Sequence, residues 1–248
     1  MDTDETPQNP FTSARFVIAA ILMAFIVIFG IAMVFINVSK KDVAVVTPEA
    51  GQSSSTSSPP TTTPITEADA SICGLKGVVL EGSLSIAPET QWQYQDTTAY
   101  PISPQYGPGA VSEEGYRYCF QHSPEGALFM AGNAISQGTY DHQMAGEWLN
   151  YVVAEGPYRE ELLQDTGSAQ SPSNSRLAIQ GFRLLSYTGD TARADIAVRT
   201  TVSGQTVIFS GAYSLVWQDG DWKISTETSE PLNMVQIPDI SGYIAWGE

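Results

Sequence analysis

Phe16 to Val38 reads FVIAAILMAFIVIFGIAMVFINV, and this run restricts the arrangement of the chain more than any other feature. It holds 23 residues without a charge, and its only strongly polar member is Asn37 at the far end. As a helix it spans about 34 Å, enough for a hydrocarbon core of ~30 Å. A cleaved signal peptide would have a shorter apolar stretch, about 7–15 residues, ending in a small-x-small site. Here the run is followed by Ser39-Lys40-Lys41-Asp42, so we expect an uncleaved, single-pass membrane helix. Flanking charge hardly fixes its direction. Arg15 and the terminal amine lie on one side and Lys40 and Lys41 on the other, a slight bias toward a cytoplasmic C-terminus. The short arm of residues 1–15, an uncharged spacer and a pair of cysteines argue the reverse. The expected topology is therefore a plasma-membrane protein with its N-terminus in the cytoplasm and its C-terminal domain outside.

Residues 39–70 form the expected spacer. Their centre, TPEAGQSSSTSSPPTTTPIT, lacks the apolar surface that would offset ordering entropy, so a disordered linker is predicted. A flexible chain of that length reaches about 30 Å. Residues 71–248 remain for one domain, a size that can bury a substantial core. The whole chain carries a net charge of −16, and the domain has 8 Lys plus Arg against 20 Asp plus Glu. Phosphate backbones and anionic headgroups both repel such a surface, so neither nucleic acid nor a lipid surface is expected to bind the domain.

Within the domain, residues 71–122 are turn-rich. Gly77 to Leu80 reads as a short strand, and Trp92, Tyr94, Tyr100, Tyr106, Tyr116 and Tyr118 are expected to pin a long loop onto the core. Ser123-Pro124-Glu125 is a helix start, with Ser as N-cap, Pro at the first position and an acid in the first turn. That helix runs to about Gln137, with Ala127, Leu128, Ala131, Ala134 and Ile135 on its apolar face. A second is predicted over 141–154 and a short third over 158–164. From Arg176 the period changes from 3.6 to 2. Strands around Phe182, Ile196, Phe209–Trp217 and Trp222–Ile224 are separated by turns at Gly189, Gly204 and Asp219-Gly220, the last of type I′ composition. Three helices followed by a four-stranded antiparallel meander indicate an α+β domain in which the sheet packs on the helices.

This order resembles the cone-shaped nuclear-transport-factor-2-like superfamily, whose N-terminal helices cross a curved antiparallel sheet. Leu215-Val216-Trp217-Gln218-Asp219-Gly220-Asp221-Trp222-Lys223-Ile224 looks like the last hairpin common there. Residues 71–248 more closely resemble an uncharacterised domain of actinobacterial single-pass membrane proteins. The strings that carry the likeness are Thr98–Pro101, Tyr106–Ala110, Gly115–Gly126 and Ser241–Glu248. Proteins of that kind are associated with integrative conjugative elements. The layout also resembles inner-membrane scaffold components of type IV secretion. The resemblance implies a curved sheet and a non-enzymatic scaffold role, by analogy of fold.

Cys73 and Cys119 are the only cysteines. In an oxidising compartment they would form one disulfide closing a loop. A Cys₂His₂ metal set with His122 and His142 is the alternative, although its spacing fits no zinc module known to us; isolated buried thiols are the third reading. His122, before the N-cap, is expected to serve local hydrogen bonding, and His142 to be exposed. Enzymes of the superfamily use Asp/His or Tyr/Asp pairs inside the cone. The matching candidates here are Tyr213 and Asp195, but Asp195 falls opposite the Ile196/Val198 row, which argues against a buried pair. No nucleophile, phosphate-loop or dinucleotide motif is present. We therefore expect no enzymatic activity, no cofactor and no metal; the alternative reading is a surface-tethered ligand-binding or enzymatic cone domain, which polar groups converging in a roomy pocket would favour. The expected partners are the membrane, through residues 16–38, and other membrane or envelope proteins; homo-oligomers are compatible with the sequence. Tyr243 and Trp246, in a tail that regular structure does not require, are the expected interface anchors.

Overall fold

The structure is a computed structural model that describes residues 69–139, 142–166, 176–202 and 205–248. The N-terminal arm, the expected membrane helix, most of the spacer and the expected turn at Gly204 lie outside the described residues. Among the described residues no helix is long and apolar enough to cross a membrane. In chain order the elements are β1 (Gln91–Gln95), β2 (Thr98–Ile102), β3 (Ala110–Val111), β4 (Arg117–Tyr118), α1 (Pro124–Gln137), α2 (His142–Val152) and α3 (Arg159–Thr166). Then come β5 (Ala178–Tyr187), β6 (Thr191–Val202), β7 (Gln205–Gln218), β8 (Asp221–Ile224), β9 (Leu232–Ile237) and β10 (Ile244–Ala245). The domain is α+β, with a few helices against a sheet of antiparallel strands.

Helix α1 starts where its signals put it. Ser123 is extended and its Oγ accepts from the Gly126 N–H, with Pro124 at the first position and Glu125 in the first turn. Its small residues have a specific use. A Cβ on Gly126 would lie 1.9 Å from the carbonyl oxygen of Gln121, and one on Gly132 would lie 2.8 Å from Pro101 and 3.0 Å from Trp246. The helix is not one-sided, however. Twelve of its fourteen residues are buried. One face meets β5 and β6, and β2 and β4 cover another, which explains why a sequence reading of one apolar stripe undercounts its core.

The main sheet runs β10-β5-β6-β7, and both β8 and β9 pair with the far side of β7. The β6–β7 ladder is unbroken from Thr191↔Val216 to Val202↔Gln205. Between β5 and β6 the register shifts at Ile179/Gly181 and Leu184/Ser186, bulges that add twist and bend the strand. Asp219 and Gly220 have φ of 56° and 76°, the two positive values a type I′ hairpin needs. On the α1 side of the sheet, Phe182, Ala194, Ile196, Tyr213 and Leu215 join Leu128, Phe129, Trp148, Trp222 and Trp246 in one core.

The sequence pattern locates the meander of β5 to β8 and the three helices but misses six strands. The β1–β2 hairpin turns at Asp96, which takes φ 51°, inside what reads as a loop. β3 and β4 are two residues each, too short to show a period. β9 and β10 come from the tail. Trp246 requires a correction: it is 4% exposed, its ring meeting Phe129, Phe182 and Trp92 at 5.3–5.6 Å, and its Nε1 donates to Thr90 Oγ1. It is a core residue and not a surface anchor, because β10 pairs with β5 and carries the indole under the sheet edge. Replacing Trp246 with Ala should cost about 3–5 kcal/mol in urea or thermal unfolding, the usual loss for a large buried aromatic.

Candidate functional site

Cys73 and Cys119 are bonded to each other, with their Cα atoms 6.0 Å apart. Their sulfurs are therefore not metal ligands in this arrangement. The side chain of His142 lies outside the described atoms, and among the described residues no group of His, Cys, Asp or Glu is placed to hold a metal. Closing a loop of 46 residues should stabilise the fold by about 4 kcal/mol in chain-entropy terms. Urea unfolding of the Cys73→Ser/Cys119→Ser protein should show a loss of that order.

Next to the disulfide stands Asp221, fully buried at 0% exposure. Oδ2 accepts from the Cys119 N–H at 2.7 Å and from Tyr151 Oη at 2.7 Å. Oδ1 accepts from the Phe120 N–H at 2.8 Å and from its own neighbour, the Trp222 N–H, at 2.9 Å. Cys119 has φ 68°, a left-handed conformation that costs a non-glycine residue about 1–3 kcal/mol unless its surroundings impose it. Its surroundings do so on three sides. The N–H is held by Asp221, the carbonyl accepts from Gly109 N at 2.7 Å, and the sulfur is bonded to Cys73.

Burial pushes the Asp221 carboxyl above its ordinary value of 3.8, while Tyr151 and the amides of Phe120 and Cys119 pull it back. Burial likewise pushes Tyr151 well above the usual phenol range, with the Asp221 charge adding to it. Lys223 packs in the same corner, its Nζ donating to the Tyr151 carbonyl at 2.8 Å and sitting 3.3 Å from the centre of the Tyr151 ring. Burial lowers this ammonium below 10.5, against the pull of Asp221 and Asp219.

Three other polar groups are built into the core. Arg117 donates from Nε to Asn133 Oδ1 at 2.8 Å, from Nη1 to Gln95 at 3.0 Å and from Nη2 to Ser136 Oγ at 2.6 Å, with Tyr100 stacked 3.7 Å from its Cζ. His122 stacks on Trp217 at 3.9 Å between the carbonyls of Asp69 and Gly189, the local hydrogen-bonding role expected of it. Asp195 is the third. It does face away from Ile196, yet it is 1% exposed. That second face of the sheet is covered there: Arg183 Nε donates to Asp195 at 3.1 Å, Ser210 Oγ at 2.7 Å and Tyr243 Oη at 2.9 Å. Tyr213 lies on the opposite, α1-facing side, in the apolar core, so Tyr213 and Asp195 form no catalytic pair. Tyr243 is half-buried, tied to this cluster and stacked on Arg183.

Asp221 and Arg117 escape sequence reasoning for the same reason. Asp221 sits in an Asp-Gly-Asp string that reads as turn chemistry, and Arg117 sits between two tyrosines in a loop; neither has a periodic neighbour to mark it as interior. Every buried side-chain nitrogen or oxygen among the described residues has a partner except Thr200 Oγ1. These clusters fasten separate elements of the fold together. Clefts among the described residues also reach the surface. One, of about 420 Å³, lies between Trp92, Gln180 and the tail, and one of about 180 Å³ lies beside Tyr151, Arg159 and Lys223.

The fold and these fastenings define an α+β domain with a disulfide-pinned N-terminal segment. Residues 52–245 match the family described as Domain of unknown function (DUF8175), and the chain belongs to that family. No curated protein and no solved structure matches it.

Asp221→Asn should destabilise the domain by about 3 kcal/mol, because the side-chain amide turns an N–H₂ toward donors that need an acceptor. A carboxyl whose folded pKa is raised contributes most below its unfolded value and loses that contribution as pH rises through the folded one. The deficit of the Asn variant against the parent should accordingly shrink above about pH 4 in urea titrations at stepped pH.

Proposed function

We propose that the domain is a non-enzymatic interaction module, anchored in the plasma membrane by residues 16–38 and displayed outside the cytoplasm on the 39–70 spacer. The envelope assembly it serves is of the conjugative-transfer kind, as a scaffold component. The observation that carries the non-enzymatic part is the filled interior. The α1 side of the sheet, where ligand-binding relatives of the cone-shaped class would keep their pocket, is occupied by Phe129, Phe182, Trp222 and Trp246. The buried carboxylates of the domain, Asp195 on the other face of the sheet and Asp221 beside the disulfide, are engaged in hydrogen bonds inside the fold. A cone-shaped fold is part of the same proposal. In its favour are a helix packed across β5 and β6, and bulges on β5 that curve the sheet.

Topology is the sharpest test. Protease added to intact protoplasts should cut the spacer and release a disulfide-bonded domain. A domain that survives until the membrane is permeabilised would place it in the cytoplasm and remove the envelope role.

A further inference from the structure

β8 and β9 are two halves of one edge. Both run antiparallel to β7, β8 along Leu215–Gln218 and β9 along Ile208–Tyr213. The chain leaves this edge and returns to it at Ser214, whose carbonyl accepts from Ser225 N and whose N–H donates to the Pro231 carbonyl. The two halves are treated differently. Along β8 the outer edge is covered: Ala154 N donates to the Ile224 carbonyl, Tyr158 N to the Thr226 carbonyl, and Asp221, Trp222 and Lys223 are buried. Along β9, Leu232, Asn233, Met234, Val235 and Gln236 are all exposed, Met234 at 62% and Val235 at 49%.

The hydrogen-bonding phase of β9 follows from Ser214. Because Ser214 and Pro231 are a hydrogen-bonded pair, antiparallel alternation makes Asn233, Val235 and Ile237 the residues bonded to β7. Leu232, Met234 and Gln236 then direct their N–H and C=O groups to the free edge. No other backbone group of the described residues bonds there. In a chain of charge −16, residues 231–238 contain no charge at all, and the proline or lysine that ordinarily guards an open edge is missing from 232–237.

We propose that β9 is the pairing edge for a second copy of this chain, joined antiparallel about a two-fold axis at Met234. The strand is complementary to itself in that register. Met234 faces Met234 and Leu232 faces Gln236 of the other copy, so all three free residues on each side exchange both bonds. Pairing even-numbered residues with even-numbered ones also keeps like faces together, so the two sheets continue as one. Glu230 and Asp239, which flank the strand, fall on opposite faces and do not meet head-on. An edge of six residues is far smaller than the ~1,200 Å² of stable complexes, so free molecules associate weakly. Copies that share a membrane gain effective concentration, the part that rests on the proposed anchoring.

The test is cysteine cross-linking of the full-length protein in membranes, under mild oxidation. Directly paired Cα atoms are about 5.5 Å apart, within disulfide reach. Met234→Cys should give a disulfide-linked dimer several-fold faster than Asn233→Cys, one register step away, or Ile86→Cys, an exposed control (75%) on the 71–122 segment. Higher salt, by screening the acidic domains, should raise the yield. Equal rates at the three positions would overturn the proposal. Cross-linking of the Met234→Cys variant mainly to a different protein, with a yield that falls in salt, would also overturn it. That result would assign the edge to a basic partner strand and leave the interaction-module reading standing. Loss of the dimer on adding Met234→Pro to a Gln236→Cys/Leu232→Cys protein would support it, since that proline removes only an N–H that β7 does not use.

Discussion

Both oxygens of the Asp221 carboxylate are saturated by donors from three separate parts of the chain: the segment before α1, helix α2 and its own hairpin. Four hydrogen bonds converge on this one side chain, two on each oxygen. Its grip on the Cys119 and Phe120 amides fixes the direction in which the chain enters α1. It also holds Cys119 in the left-handed conformation from which its sulfur reaches Cys73. The disulfide then secures residues 71–73, where Ile72 N donates to the carbonyl of Gly220, one residue before Asp221 itself. The N-terminal segment, α1 and the last hairpin thus meet at one carboxyl, and α1 in turn backs the sheet.

A buried carboxylate that only binds the fold to itself is costly, since desolvation opposes its charge. The benefit is uniqueness of arrangement. The 71–122 segment has two short hairpins, many turns and little periodic apolar surface, so packing alone would leave it several ways to lie on α1. Polar fastenings at Asp221, Arg117 and His122 each demand one geometry, and each reaches the segment at a different place. The same logic operates on the second face of the sheet, where Asp195 collects Arg183, Ser210 and Tyr243 and so seats the tail.

The legible part of this chain was the part governed by period. The N-cap at Ser123, the meander from β5 to β8 and the type I′ turn at Asp219-Gly220 follow from local chemistry and alternation. The illegible part was governed by contacts distant in sequence. Trp246 reads as a free aromatic in a polar tail until β10 pairs with β5, about 60 residues away, and Asp195 reads as solvent-facing until Tyr243 covers it. β9 resisted for another reason. Its six residues alternate apolar and polar weakly and are exposed on both faces, so neither face carries a signal of burial.

Residue-resolved amide hydrogen exchange tests the role of Asp221 most directly. If the carboxylate is the point on which the domain is fastened, the Cys119 and Phe120 amides exchange only through global unfolding, as slowly as the amides of Ile196 and Ala197 in the centre of the sheet. Exchange of Cys119 and Phe120 by a faster local opening, while β6 stays protected, would contradict the account. It would mean that the sheet and helices hold together without the Asp221 fastening.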